Sequence, residues 1–265
     1  MGNAILTGLQ GAIEDGGSAL NHIQLFGYDK MFNSPICGET RLSGESEVAQ
    51  KCKYVLLAVK PSIVGEVLNK IAPTLTPESV LISICAGVST KFIRSKTSES
   101  QKIACVMPNT PMIYQEGAST VSFCENVSDS ERAFVRSILE VCGICEEISP
   151  DKANESICLN GSSPAFIFEF AKYFVDYAVK QGIEYAPALK LFAKTLTGSA
   201  KMLSENIMSI DDLISQVCSP NGTTESGLKA MRENGFEKAV KAGCKACTKR
   251  AYEIQEELEA ELGEK

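Results

Sequence analysis

The chain has 265 residues, enough for one large domain or two modest ones. Hydrophobic residues make up 44% and charged residues 22%, as in ordinary soluble globular proteins. The net charge of −7, with no block of Lys or Arg, argues against a nucleic-acid surface. No apolar run reaches the roughly 18 residues that a membrane span needs, and the first residues lack the basic and apolar stretches of a signal peptide. Eleven cysteines, mostly inside apolar segments, fit a reduced cytoplasmic protein that uses thiols as small core residues. Two Cys-x-x-Cys pairs, Cys142/Cys145 and Cys244/Cys247, stand far apart in sequence, and no metal is expected.

In chain order, Met1 to Leu9 has the spacing of an amphipathic helix, and His22 to Asp29 follows as a strand. Together they read as the second half of a β-α-β dinucleotide unit, with Gly2 as the last glycine of a Gly-x-Gly-x-x-Gly turn. The unit's first strand and the start of that turn are expected upstream of Met1. Tyr54 to Val59 is a continuous apolar run, as in a strand buried on both faces, and Lys60-Pro61 closes it. Ser62 is expected to cap a helix through Ala72. Val80 to Cys85 and Ile103 to Met107 are further buried strands. Gly117 to Cys124 and Ile144 to Ser149 also read as strands, on either side of an Asp129–Val141 helix capped by Ser128. The alternation predicts a Rossmann-type, doubly wound α/β sheet over residues 1–152.

Beyond Pro150 strand signals disappear. Helical spacing covers Pro164–Gln181, Pro187–Asn206, Ile210–Val217, Thr224–Asn234 and Phe236–Leu262, so residues 153–265 are expected to form an all-α domain.

Ligands of open α/β sheets bind outside the carboxyl ends of the strands. Three loops fall there: Ala58-Val59-Lys60-Pro61, Cys85-Ala86-Gly87 and Met107-Pro108-Asn109-Thr110-Pro111. In the helical half, Cys218-Ser219-Pro220-Asn221-Gly222-Thr223-Thr224 breaks the periodic pattern. It reads either as a helix-helix turn capped by Thr223 or Thr224, or as an anion cradle of backbone N–H groups at a helix start. Asn160-Gly161-Ser162-Ser163-Pro164 is a second polar turn that opens a long helix, with Ser162 as its candidate substrate contact. The single histidine, His22, begins a strand and is not expected to be catalytic.

These motifs resemble those of the pyrroline-5-carboxylate reductase family. They are Ala58-Val59-Lys60-Pro61, Met107 to Pro111, Gly161 to Phe166, Gly198 to Leu203 and Ser219 to Thr224, in family order and spread over the whole chain. Met1-Gly2-Asn3-Ala4 is similar to the end of the family's glycine-rich loop. The resemblance implies a Rossmann domain for NADPH or NADH, and a helical domain that binds substrate and pairs two copies into a homodimer, with larger rings of dimers in the family. It implies reduction of 1-pyrroline-5-carboxylate to L-proline, the last step of proline biosynthesis. A weakened or non-catalytic paralogue acting as an oligomeric partner, or a reductase of a related imine, is the alternative.

By position, Ser219 and Thr224 would be catalytic, with Thr224 on the ring nitrogen. Asn221, Gly222, Thr223, Thr224 and Ser162 would bind substrate. Gly2, Asn3, Asp29, Ala58, Val59, Lys60, Pro61, Cys85, Ala86, Gly87 and Asn109 would hold the cofactor. Asp29 ends the second strand, where an acid favours the ribose 2′-hydroxyl of NADH over the 2′-phosphate of NADPH.

Overall fold

The computed structural model describes residues 1–16, 20–31, 34–35, 37–205 and 208–260. Packing divides the chain into two compact units, Met1–Pro164 with Ala246–Lys265, and Ala165–Lys245. No helix among the described residues is long and apolar enough to cross a membrane.

The first unit is built on a five-stranded sheet in the order β3-β4-β5-β6-β7. Its strands are β3 (Tyr54–Leu57), β4 (Val80–Ser83), β5 (Lys102–Met107), β6 (Gly117–Phe123) and β7 (Gly143–Glu147). β3, β4 and β5 run parallel, joined by crossover helices α3 (Pro61–Ile71) and α4 (Thr90–Lys96). β4 is buried at every position because helices cover both of its faces. β6 then runs antiparallel to β5, because the short link between them holds no crossover helix. Helix α5 (Asp129–Glu140) returns the chain to β7, parallel to β6.

The N-terminal helix α1 (Gly2–Glu14) buries Ile5 and Leu9 in the same core. The strand expected over His22–Asp29 is reduced to β1 (Phe26–Gly27). It pairs in parallel with β2 (Thr40–Arg41), in a sheet separate from the five-stranded one. The ladder is short because β2 supplies only two residues; Thr40 N–H donates to Leu25 O and Leu42 N–H to Gly27 O at its ends. Helix α2 (Glu45–Lys51) gave no signal in the sequence because it is barely two turns long. Acids in its first turn and Lys51 in its last favour it through the helix dipole.

Ser62 does not cap α3. The N-cap is Lys60, and Pro61 takes the first helical position, where its fixed φ suits the helix and its missing N–H costs nothing. Ser128 does cap α5, in a full capping box with Glu131. Glu131 is buried, yet Lys102 Nζ lies 2.9 Å and Lys53 Nζ 3.2 Å from its carboxylate. These lysines open β5 and precede β3, so one carboxylate ties the start of α5 to the amino edge of the sheet.

The second unit is helical. It contains most of α7 (Ser163–Lys180), α8 (Tyr185–Ser204), α9 (Ile210–Val217), α10 (Thr223–Glu233) and the start of α11 (Phe236–Ala260). α8 begins two residues before the expected Pro187, which falls in the first turn, where N–H groups need no helical acceptor. The expected helix ends at Asn206 and Leu262 lie outside the described residues. Phe174 of α7 stacks with Phe192 of α8 at a centroid distance of 4.7 Å, Phe170 meets the same ring tilted at 6.0 Å, and Phe236 of α11 lies 6.1 Å from Phe170. Outside this knot much apolar surface is open: Phe168 is 66%, Tyr177 67% and Leu191 68% exposed.

Burial raises the Glu131 pKa, but hydrogen bonds from Lys102, Ser128 and Lys53 outweigh it and hold the carboxyl down to about 2. A depressed folded pKa gives stability that is complete above the ordinary value of 4.5 and fades as the pH falls towards 2. Glu131→Gln is expected to cost about 1–3 kcal/mol in urea unfolding at pH 7. Its deficit against the wild type should close between pH 4.5 and 2, and a deficit constant over that range would refute the assignment.

Candidate active site

The parallel direction of β3, β4 and β5 brings the three loops Ala58–Pro61, Cys85–Gly87 and Met107–Pro111 to one edge of the sheet. The first two are tied together. The Cys85 thiol donates to Val59 O at 3.2 Å and to Leu57 O at 3.5 Å, linking the end of β4 to the loop after β3. Burial pushes the Cys85 pKa up, which keeps it a thiol that can donate. Gly87 has φ +75° and faces the last part of α11, where an added Cβ would lie 2.5 Å from Ile254 Cγ2. Ser89, the N-cap of α4, donates to Glu259 Oε1 at 2.6 Å, so α11 is bonded to the sheet unit beside this edge.

The start of α1 meets the same edge. An added Cβ on Gly2 would come within 2.8 Å of Ala58 Cβ, so helix and strand end approach as closely as the last glycine of a dinucleotide turn allows. No side chain caps α1, and Asn3 is exposed on its first turn. Lys60 and Ala58 are exposed, whereas Val59 and Pro61 are half-buried. Asp29 follows β1, and its Oδ1 accepts the Met31 N–H at 2.7 Å. Asn109 is buried and begins a 3-10 turn over Thr110–Tyr114.

Beside the ends of β4 and β5 lies a cavity of about 190 Å³. Its sheet wall carries Ser83, Cys105, Thr120 and Ser122, and Asn154 and Gln255 face it from helices. The lining is neutral, and burial pushes the Cys105 thiol up to about 12. No group of three or more metal-ligating side chains occurs among the described residues.

In the helical unit, Ser219 to Gly222 forms a tight turn before α10, with Gly222 N–H donating to Ser219 O at 2.9 Å. Neither Thr223 nor Thr224 is the N-cap. That position belongs to Gly222, and the threonines open the helix. An added Cβ on Gly222 would lie 2.4 Å from Ser219 Oγ, so only glycine lets the turn close. Asn221 takes the left-handed conformation with φ 59°, one that asparagine tolerates better than most residues. Thr224 is half-buried, whereas Ser219 and Thr223 are exposed. Ser162 sits elsewhere, in the turn before α7; it packs with the sheet unit and its N–H donates to Ile157 O at 2.8 Å.

Glu225 is a feature that motif reading passes over. Its Oε2 accepts the Asn221 N–H at 2.7 Å, so the chain's own carboxylate holds one donor of the turn. The available signal was its spacing, a glutamate at the third helical position, where capping-box acids reach back to backbone N–H groups.

A mostly parallel sheet whose strand ends meet a helix start at a glycine, joined to a helical unit, is the architecture of dinucleotide-dependent oxidoreductases. Residues 150–254 match the family described as pyrroline-5-carboxylate reductase dimerisation. The chain is 36% identical over 208 residues to pyrroline-5-carboxylate reductase 3 of Macaca fascicularis, covering 78% of this chain and 76% of that protein. It is 34% identical to pyrroline-5-carboxylate reductase of Escherichia coli (strain K12), over 78% of this chain and 77% of that one. Plasmodium falciparum pyrroline carboxylate reductase, solved with NADP bound, superposes with a TM-score of 0.84 at 29% identity, covering 96% of this chain and 94% of that one. The chain belongs to the pyrroline-5-carboxylate reductase family. Relatives named as reductases do not favour the alternative of a non-catalytic partner.

Proposed function

We propose that the chain reduces 1-pyrroline-5-carboxylate to L-proline with NADPH or NADH. The observation that carries this reading is the turn Ser219–Thr224, an uncapped helix start closed by Gly222, in a chain that belongs to this family. We assign the dinucleotide to residues 1–152 and substrate binding and pairing to residues 153–265.

The glycine contact of Gly2 with Ala58 and the shared edge of three loops fit a dinucleotide. Gly2, Asn3, Ala58, Val59, Lys60, Pro61, Cys85, Ala86, Gly87 and Asn109 would hold it, and when bound it supplies the hydride. The chain's own residues do the rest. The N–H of Thr223 at the start of α10, joined by that of Asn221 when Glu225 gives it up, binds the substrate carboxylate, where a helix start favours negative charge, and Gly222, whose own N–H closes the turn onto Ser219 O, packs against it. Ser219 shapes the turn, and Ser162 is assigned a supporting substrate contact. The Thr224 hydroxyl donates to the ring nitrogen. With a hydride taken up at the C=N carbon and a proton from solvent at the nitrogen, which Thr224 would hold in place, the imine would become a secondary amine. Positioning and donor placement are most of what such a transfer asks of a protein.

The exposed apolar residues of α7 and α8 suit burial against a second copy, in keeping with the dimerisation family matched there. A ring built from such dimers is the larger assembly we propose. Eleven free thiols suit a reducing compartment such as the cytoplasm.

Oxidation of NADPH or NADH with pyrroline-5-carboxylate, followed at 340 nm, tests the reading; no turnover with either would overturn it. Thr224→Ala should lower kcat roughly 10- to 100-fold with little change in Tm, and an unchanged kcat would remove Thr224 from the reaction. Glu225→Gln, which takes a competing charge from the Asn221 N–H, should lower the KM for the imine about three- to fivefold. A raised KM would instead make Glu225 a substrate contact. Asp29 should favour NADH, and a preference for NADPH of about tenfold or more would sink that argument.

A further inference from the structure

Past Met107 the ladder between β5 and β6 stops, because Pro108 has no N–H to donate. Gly117 N–H points to the β7 side, where it bonds Cys142 O just before that strand, so Ala118 presents its N–H and C=O on the β5 side. Two asparagine side chains take the place of the missing strand. Asn109 Oδ1 accepts the Ala118 N–H at 2.9 Å. Asn160 Nδ2 donates to Ala118 O at 3.0 Å and to Met107 O at 2.6 Å. Only an amino group can serve two carbonyls, which fixes the orientation of the Asn160 amide. Its Oδ1 is left buried without a partner, in a residue only 5% exposed. The next residue touches the same loop, since a Cβ on Gly161 would lie 3.2 Å from Met107 Sδ.

An unpaired buried acceptor is destabilising, so the worth of Asn160 lies in what its amino group holds. We propose that Asn160 is a positioning residue for the dinucleotide. It locks the Met107–Asn109 loop to β6 at the carboxyl edge of the sheet and so sets the place of Asn109. This rests on the reading that the loop lines the dinucleotide.

Asn160→Ala removes the amino group and the unpaired oxygen together, so gain and loss of stability partly cancel, whereas the loop is released. The test is steady-state kinetics of the full chain with NADPH and NADH, each varied against the imine, beside thermal unfolding. We expect the dinucleotide KM to rise about fivefold or more while the imine KM stays within about twofold. Tm should fall by no more than about 4 °C. Asn160→Asp, which sets a carboxylate oxygen against two carbonyls, should raise the dinucleotide KM further. Asn126→Ala loses a similar side-chain bond, Nδ2 to Ser100 O at 2.7 Å, at the other edge of the sheet, and should leave both KM values unchanged. An unchanged dinucleotide KM in Asn160→Ala would overturn the inference while the reductase reading stands. An equal rise of both KM values with a large drop in Tm would also overturn it, since that is the mark of a purely structural residue. A wild type without turnover would overturn both.

Discussion

Burial of β4 on both faces is the constraint on which the rest depends. A strand with no exposed position cannot slip in register without moving every neighbour, so it fixes β3 on one side and β5 on the other. The loops that leave these three strands therefore emerge at one edge, and the Cys85 thiol, itself at the end of β4, holds the first of them by its carbonyls. At the opposite edge Glu131 gathers Lys53 and Lys102. The sheet is thus held by ionic contacts where the strands begin and by neutral hydrogen bonds where they end.

The reversal at Pro108 is the second organising event. A proline after a buried strand ends the parallel series, and the chain turns back as β6 instead of crossing over again. The groups stranded by that reversal are met by side chains of Asn109 and Asn160, and the second comes from the turn that leads into α7. The same residues that follow the end of the β5–β6 ladder therefore connect the sheet to the start of the long helix.

Much of this was legible in the residues. The buried strands were plain because Tyr54–Val59, Val80–Cys85 and Ile103–Met107 are unbroken apolar runs, and the long helices because their apolar residues recur at helical spacing. What escaped was short or depended on partners distant in sequence. α2 and β2 are too brief for any period to register. The cap of α3 was misplaced because a serine attracts the reading although Pro61, one residue earlier, fits the first turn better. Asn160 looked like a turn residue, since nothing local reveals that its partners are Met107 and Ala118. Glu225 drew no expectation at all, although its carboxylate reaches the turn that precedes α10.

The turn before α10 also bears on how long the protein keeps its chemistry. Asn221-Gly222 is the dipeptide in which the following backbone nitrogen attacks the side-chain amide with least hindrance, releasing ammonia and leaving an acidic residue. Asn221 is exposed, as is Asn234 before Gly235, although the Asn234 amide donates to Ala230 O at 2.8 Å; Asn160, which also precedes a glycine, is buried and bonded through its amide. Ageing at Asn221 would place a new negative charge beside Glu225, in the turn proposed to hold the substrate carboxylate. The asparagine that the left-handed turn accepts is, with glycine after it, also a place where stored protein wears.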